Sequence, residues 1–63
     1  VIYPNGITVE LNDGRVGVVV RQNKHLYDRP IIRILRQDEK DIASPYDMDL
    51  SQVLDVTICS CHV

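Results

Sequence analysis

Four consecutive residues near the end of the chain, Cys59-Ser60-Cys61-His62, form its densest set of metal-binding side chains. Two thiolates and an imidazole are suitable ligands for Zn²⁺, which is usually held by four such groups. On a strand, however, Cys59 and Cys61 point to one side and His62 to the other, and no fourth ligand is evident. A disulfide between the two cysteines would need Cα atoms near the upper limit of the allowed separation. We therefore interpret both as small, reduced side chains of a cytosolic protein and predict no metal site.

The other residues that could act in catalysis are too scattered to form an active site. His25 lies in a polar segment, and neither histidine belongs to a His-x-x-x-His or Glu-x-x-His pair. The serines lack the nearby His–carboxylate pattern that an activated hydroxyl nucleophile needs. Asp47 and Asp49 would share one face of a strand, as exposed acidic pairs often do. We predict that the chain has no catalytic, cofactor-binding or metal-binding residue and is not itself an enzyme.

The charged residues divide the chain into a basic and an acidic stretch. Residues 15–36 hold six basic residues and one acid, a net of +5, and residues 37–63 hold one basic residue and six acids, a net of −5. In a compact fold the two stretches could neutralise each other across neighbouring strands. The alternative is a basic face for phosphate groups or an acidic partner. Its candidate contacts are Arg21, Lys24, Arg29 and Arg36.

Short apolar segments separated by turn residues predict an all-β fold. The predicted strands comprise residues 7–11, 16–22, 30–36, 46–50 and 56–61. The first two are joined by Asn12-Asp13-Gly14-Arg15, a hairpin turn in which Gly14 supplies the positive φ. Residues 23–29 and 37–45 are predicted to be loops, the second of them mobile. Four or five short strands in 63 residues predict a small SH3-like barrel, with an OB-like barrel as the alternative.

Alternation of apolar and polar residues along these strands predicts the core. The inward-facing set is Ile7, Val9, Leu11, Val16, Val18, Val20, Ile32, Ile34, Met48, Leu50, Val56 and Ile58. The opposite face of the third predicted strand presents Ile31, Arg33 and Leu35. Because two aliphatic side chains lie on that outer face, we predict that another domain or chain covers it.

Several segments, in their order along the chain, resemble a known family. They are Tyr3-Pro4-Asn5-Gly6, Val9-x-Leu11, Asp13-Gly14-x-Val16-Gly17-Val18-Val19-Val20, Asn23, Arg29-Pro30-Ile31-Ile32-Arg33-Ile34-Leu35 and Asp49-Leu50-Ser51. The set is similar to the small C-terminal β domain that follows the catalytic domain in many bacterial HD-GYP proteins. Those proteins are metal-dependent phosphohydrolases, typically phosphodiesterases of cyclic di-GMP. The acidic segment 37–41 and the Cys-Ser-Cys-His end depart from the family pattern.

The resemblance implies that residues 1–63 are one small domain cut from a larger cytoplasmic protein. The catalytic motifs and metal ligands of the family would lie upstream of Val1, so none is assigned to this chain. We expect the domain to pack on the HD domain of the same chain through Ile31, Arg33 and Leu35, or to mediate self-association. In the excised domain a second copy could replace the HD domain. No apolar segment is long enough to cross a membrane, so we expect no membrane contact.

The alternative function is an independent nucleic-acid-binding barrel, SH3-like or OB-like, that binds phosphates through five basic residues: Arg21, Lys24, Arg29, Arg33 and Arg36. Two observations argue against it. The pI of about 5.4 is far below that of a dedicated nucleic-acid-binding domain. The chain also has neither Phe nor Trp, the side chains on which bases usually stack.

Overall fold

Five antiparallel strands form one sheet in the computed structural model, which describes residues 2–62. The strands are β1 (Thr8–Leu11), β2 (Val16–Arg21), β3 (Ile31–Gln37), β4 (Lys40–Asp49) and β5 (Ile58–His62). Their order across the sheet is β4-β3-β2-β1-β5, so β1 to β4 follow one another as a meander and β5 returns to pair with β1. This is the SH3-like arrangement, and it confirms the small all-β barrel that the strand pattern predicts. No helix in residues 2–62 has the length and apolar character needed to span a membrane.

The β1–β2 hairpin forms where the turn residues predict it. Gly14 has a φ of +92°, a conformation that side-chain-bearing residues rarely adopt. Its N–H donates a hydrogen bond of 3.0 Å to the Leu11 carbonyl. The Asp13 carboxylate closes the turn by accepting hydrogen bonds from the backbone N–H and the guanidinium of Arg15. The turn thereby places Val9 of β1 opposite Gly17 of β2.

Residues 37–45, predicted to be a loop, instead form a tight turn followed by a strand. Asp38 and Glu39 have φ values of 56° and 64°, as the two central residues of a type I′ hairpin turn require. The prediction was wrong because Asn-Gly or Asp-Gly usually occupies such positions, and a glutamate at the second position is not typical of a tight turn. β4 therefore begins at Lys40, six residues before the predicted short strand, and ends at Asp49, one residue before the predicted end.

Pro45 lies within β4 at an interruption of its pairing with β3. Ile34 is opposite Tyr46, but Arg36 is opposite Asp41, so residues 42–45 lie opposite a single residue of β3. Proline has no N–H to donate to a ladder and is tolerated at such a bulge. The interruption therefore explains how a proline-containing segment becomes part of the sheet.

The hydrophobic core lies on the inner side of the sheet. Its buried side chains are Val9, Leu11, Val19, Ile32, Ile34, Leu50 and Val56. All of them except Val19 belong to the inward-facing set predicted from the alternation. Three further members of that set, Ile7, Met48 and Ile58, are partly buried against the core.

The inward-facing residues of β2 differ from the prediction by one position. Gly17 and Val19 are buried, whereas Val16, Val18 and Val20 are only half-buried. A segment with valine at nearly every position contains no alternation that reveals its phase. The ladder between β2 and β3 is also interrupted at two points, and such bulges shift the phase of a strand.

Gly17 marks a close approach of β2 to β3. A Cβ atom at this position would lie 2.6 Å from Cγ2 of Ile32 and would also overlap the backbone oxygen of Arg33. No side chain fits there without moving the neighbouring strand. Glycine therefore allows the two strands to lie close together over the core.

A series of turns between β4 and β5 completes the core. Backbone hydrogen bonds of 3.0 to 3.4 Å connect Gln52 to Asp49, Val53 to Leu50 and Val56 to Val53. Leu50 is fully buried and Val56 is 6% exposed. The segment 50–56 thus places an apolar side chain in the core near each of its ends.

Candidate interaction surface

Residues on the outer side of the sheet pair across the strands in three rows. The first row comprises Asp47, Arg33, Val18, Thr8 and His62, one residue from each strand. The second row comprises Asp41, Arg36, Val16, Glu10 and Ser60. The third, shorter row comprises Asp49, Ile31 and Arg21. We call these rows, together with Leu35, the outer face.

Two rows contain ion pairs between β3 and β4. Nε of Arg33 lies 2.9 Å from Oδ1 of Asp47, and Nε of Arg36 lies 3.5 Å from Oδ1 of Asp41. The hydrogen bond and charge of the Arg33 guanidinium hold the pKa of Asp47 below its ordinary value. Two of the six basic residues of segment 15–36 thus pair with acids of segment 37–63 across neighbouring strands. Because the side chains are exposed, the pairs cancel charge and contribute little to stability.

The predicted contact residues Ile31, Arg33 and Leu35 lie together on the outer side of β3. Ile34 between the last two is fully buried, so alternation directs Arg33 and Leu35 away from the core. Ile31 is half-buried, and Leu35 is 40% exposed. With the half-buried Val18 on β2, they give the outer face an aliphatic part beside its ion pairs.

Arg29, grouped in the sequence analysis with the candidate phosphate contacts, serves a structural purpose. Its guanidinium donates hydrogen bonds of 2.9 to 3.2 Å to four backbone carbonyls of segment 50–56. The acceptors are Leu50, Val53, Leu54 and Val56. These bonds attach the segment to the loop before β3. Sequence reasoning missed this role because the acceptors are backbone atoms, which leave no signal in residue type.

The other members of that basic group differ in their surroundings. Arg36 pairs with Asp41 and also donates a hydrogen bond of 2.8 Å to the Glu39 carbonyl. Arg21 and Lys24 are exposed and form no ion pair within residues 2–62. The structure therefore does not bring the group together as one free basic patch.

Three of the segments that carry the family resemblance meet in one hydrogen-bond network. The side-chain amide of Asn23 donates to the Arg29 carbonyl at 2.6 Å and to Oδ1 of Asp49 at 2.8 Å. The same Oδ1 accepts from the Ser51 hydroxyl at 2.6 Å and from the Ser51 backbone N–H at 3.0 Å. The bond from the Ser51 hydroxyl is the main reason that the pKa of Asp49 is lowered. Asn23, Arg29 and Asp49-Leu50-Ser51 thus form one structural unit.

The residues considered for metal binding and catalysis do not converge. Cys59 and Cys61 are free and exposed on β5. His25 is exposed in the loop before β3, at a φ of 68°. In the part of the chain that the structure describes, no three His, Cys, Asp or Glu side chains are grouped so that they could hold a metal ion.

Exposed apolar groups also occur away from the outer face. Leu26, Tyr27 and Leu54 are 45%, 49% and 71% exposed, in the loop before β3 and in segment 50–56. A shallow groove of about 270 Å³ is lined by residues 4–7, before β1. Unlike the outer face, these groups lie on loops and turns rather than on the sheet.

Comparison with protein-family models decides the family. Residues 8–62, nearly the whole chain, match the model of a KOW domain associated with HD domain. The chain belongs to this family. No curated protein and no solved structure matches it. The resemblance to a small domain that accompanies an HD domain is thereby confirmed.

KOW domains are SH3-like barrels, in agreement with the observed order of the strands. The matched residues extend through β5, beyond the segments that carry the resemblance. The family is associated with HD domains, which is consistent with an accessory role for this chain. The exposed, partly aliphatic outer face is the candidate surface for contact with an HD domain.

Proposed function

We propose that this KOW domain is a non-catalytic accessory domain of an HD-GYP-type, metal-dependent phosphohydrolase of cyclic di-GMP in the cytoplasm. The family association with HD domains supports the catalytic partner. The ordered motifs, in particular Arg29-Pro30 and Asp49-Leu50-Ser51, support the HD-GYP type. The domain packs on the HD domain of the same chain through the outer face.

The composition of the outer face supports its use as a domain interface. Val18, Ile31 and Leu35 supply aliphatic surface, whose burial stabilises a contact by about 25 cal/mol per Å². The ion pair of Arg33 with Asp47 leaves little net charge to desolvate next to that surface. Interfaces between domains generally combine an apolar centre with a polar rim. The outer face has both components on one rigid sheet.

The nucleic-acid-binding alternative has less support. Three of its five candidate cations, Arg29, Arg33 and Arg36, are engaged within the domain. Binding to phosphates would require breaking those contacts or adding a ligand to an already neutralised pair.

The docking part of the proposal is tested with Leu35→Glu in the full-length parent protein. A carboxylate buried at this interface without a partner should weaken docking by about 2–3 kcal/mol. Hydrogen exchange of the β3 amides, compared with and without the HD domain, measures the docking. Leu54→Glu is the matched control, because Leu54 is more exposed than Leu35 and lies outside the outer face.

Two outcomes contradict separate parts of the proposal. If both variants dock as well as the parent, the outer face is not the interface. If the full-length protein with Mn²⁺ or Fe²⁺ does not hydrolyse cyclic di-GMP, the assigned substrate is wrong, whatever the docking result. The 63-residue domain alone is expected to hydrolyse neither cyclic di-GMP nor a generic phosphodiester with either metal.

A further inference from the structure

The two edge strands of the sheet differ in how well they are protected against pairing with another chain. Within residues 2–62, β4 and β5 each have one neighbouring strand, β3 and β1 respectively. An open edge presents unpaired N–H and C=O groups that can bind a further strand. Natural sheets block such edges with charges, prolines and irregularities.

β4 has these protective features, and β5 lacks most of them. β4 contains Pro45, an interrupted ladder and charged residues along its length. β5 has the sequence Ile-Cys-Ser-Cys-His, with no proline and no Asp, Glu, Lys or Arg. Its one irregularity is at Cys59, which has no partner on β1, so the following residues form a regular edge.

The direction of the backbone groups of β5 follows from the hydrogen bonds of β1. Ile7 and Leu11 bond to the β2 side, since the Val19 N–H donates to the Ile7 carbonyl and the Leu11 N–H donates to the Arg15 carbonyl. Successive residues of a strand direct their backbone groups to opposite sides. Val9 therefore also bonds to β2, and Thr8 and Glu10 bond to β5.

This alternation determines which residue of β5 faces the open edge. Ser60 and His62 are opposite Glu10 and Thr8, so their backbone groups point to β1. Cys61 is opposite Val9, whose groups are used by β2, so the N–H and C=O of Cys61 point outward. Cys61 is thus the natural centre of an added strand pair.

We propose that β5 pairs antiparallel with β5 of a second copy of the chain, around a two-fold axis at Cys61. The N–H of Cys61 donates to the carbonyl of the partner's Cys61, and the reverse bond completes the pair. Ser60 then lies opposite the partner's His62. A second copy fits this edge because the arrangement is self-complementary and places no fixed charges against each other. The β5 edge includes Ser60 and His62 of the outer face but lies three strands away from Ile31 and Leu35 on β3. The pairing therefore does not depend on the proposed docking to an HD domain.

Cross-linking through cysteine tests the register. In a hydrogen-bonded antiparallel pair the two Cα atoms are about 5.5 Å apart, within the range that a disulfide spans. In oxidised glutathione, one Cys61 thiolate forms a mixed disulfide and releases a glutathione thiolate. The partner's Cys61 thiolate then displaces the second glutathione and closes the bond. Cys59→Ser should cross-link like the parent, and Cys61→Ser should lose most of the covalent dimer.

Sedimentation of the 63-residue chain tests the non-covalent pair. Because the contact is small, we expect association to become visible at about 0.1–1 mM. Cys61→Pro removes the outward N–H and leaves the β1 ladder intact, so it should lower the association constant by about tenfold or more. Cys61→Ser retains the N–H and should still associate. Circular dichroism verifies that each variant is folded.

Three other outcomes of these experiments contradict the proposed β5 pair. A parent chain that stays monomeric at the highest concentration removes the pairing. A folded Cys61→Pro variant that associates like the parent locates the contact elsewhere. Efficient cross-linking by Cys61→Ser contradicts the two-fold register at Cys61, and this readout does not depend on the proline variant.

Discussion

At the scale of single residues, the most informative contact is that of Arg29 with segment 50–56. The segment contains no helix or strand; Leu50 and Val56 are buried in the core, and Val53 packs against it. Four of its carbonyls receive hydrogen bonds from one guanidinium. Hydrogen bonds from charged donors contribute more than neutral ones. Arg29 therefore replaces the backbone partners that regular secondary structure would supply.

Replacing Arg29 by lysine should destabilise the domain, although the charge is kept. The ammonium group of lysine is compact and has three donors, so it cannot span four carbonyls as the planar guanidinium of Arg29 does. We therefore expect a loss of about 1.5–3 kcal/mol in the free energy of unfolding. Urea denaturation measures the loss, and faster amide exchange in segment 50–56 shows where it acts. Arg36→Lys is the control, because Arg36 is exposed and its ion pair is long. Equal effects of the two substitutions would contradict a special role for Arg29.

The neighbouring valines of β2 provide a test of its phase. Val19 is 1% exposed in the core, and Val18 is half-buried on the outer face. Val19→Ala should therefore cost about 2–3 kcal/mol of unfolding free energy, and Val18→Ala less than about 1 kcal/mol. Urea denaturation of the two variants measures the difference. A larger loss for Val18→Ala would restore the phase predicted from the sequence and contradict the observed burial.

At the scale of elements, a strand could be predicted from the sequence where the residues of the adjoining turn are typical of that turn. The β1–β2 hairpin was predictable because glycine at position 14 is typical of a tight turn. β3 was predictable because it is a short apolar run in which Arg33 separates Ile32 from Ile34. β4 was only partly predictable, since its turn has Glu39 at a position that glycine usually occupies. The same alternation along β3 identified the outer contact residues of the candidate site. The hydrogen-bond network around Arg29 could not be predicted, because its acceptors lie more than 20 residues away along the chain.

Glycine at position 39 should stabilise the β3–β4 hairpin. Glu39 has a φ of 64°, which costs about 1 kcal/mol for a residue with a side chain and almost nothing for glycine. The larger entropy of unfolded glycine offsets part of this gain, so Glu39→Gly should stabilise by about 0.5 kcal/mol. The midpoint of urea denaturation measures the change. Asp41→Gly, in the strand itself, should destabilise, and stabilisation by both variants would indicate that the turn conformation is not the cause.

At the scale of the whole molecule, acidic and basic residues act together on stability. The pKa values of Asp13, Asp47 and Asp49 are all lowered by hydrogen bonds made in the folded state. Their donors are Arg15, Arg33 and Ser51, respectively. The unfolded chain therefore takes up protons at a higher pH than the folded one. Stability from these carboxylates is complete above the unfolded pKa near 3.8 and is lost as pH falls through the lower folded values.

The contribution of Asp49 can be separated by a pH series. Asp49→Asn should be less stable than the parent at pH 7, because the amide accepts more weakly from Ser51 and Asn23. The difference should shrink as the parent carboxylate is protonated, and at about pH 2 it should be small. Urea denaturation across the series measures both curves. Asp28→Asn, exposed in the loop before β3, should differ little from the parent at any pH. A difference at Asp49 that persists unchanged at low pH would contradict the electrostatic cause.

The pairing of β1 with β5 has a consequence for the order of folding during synthesis. Thr8 lies opposite His62, so the first strand and the last are neighbours in the sheet. As the chain leaves the ribosome, β1 to β4 can assemble by successive hairpins, but one side of β1 stays without a partner until β5 emerges. Closing this long loop is the entropically costly step, and it comes last. A nascent chain interrupted before Ile58 would therefore expose the edge of β1, with its alternating apolar residues, to proteases and to other unfinished chains.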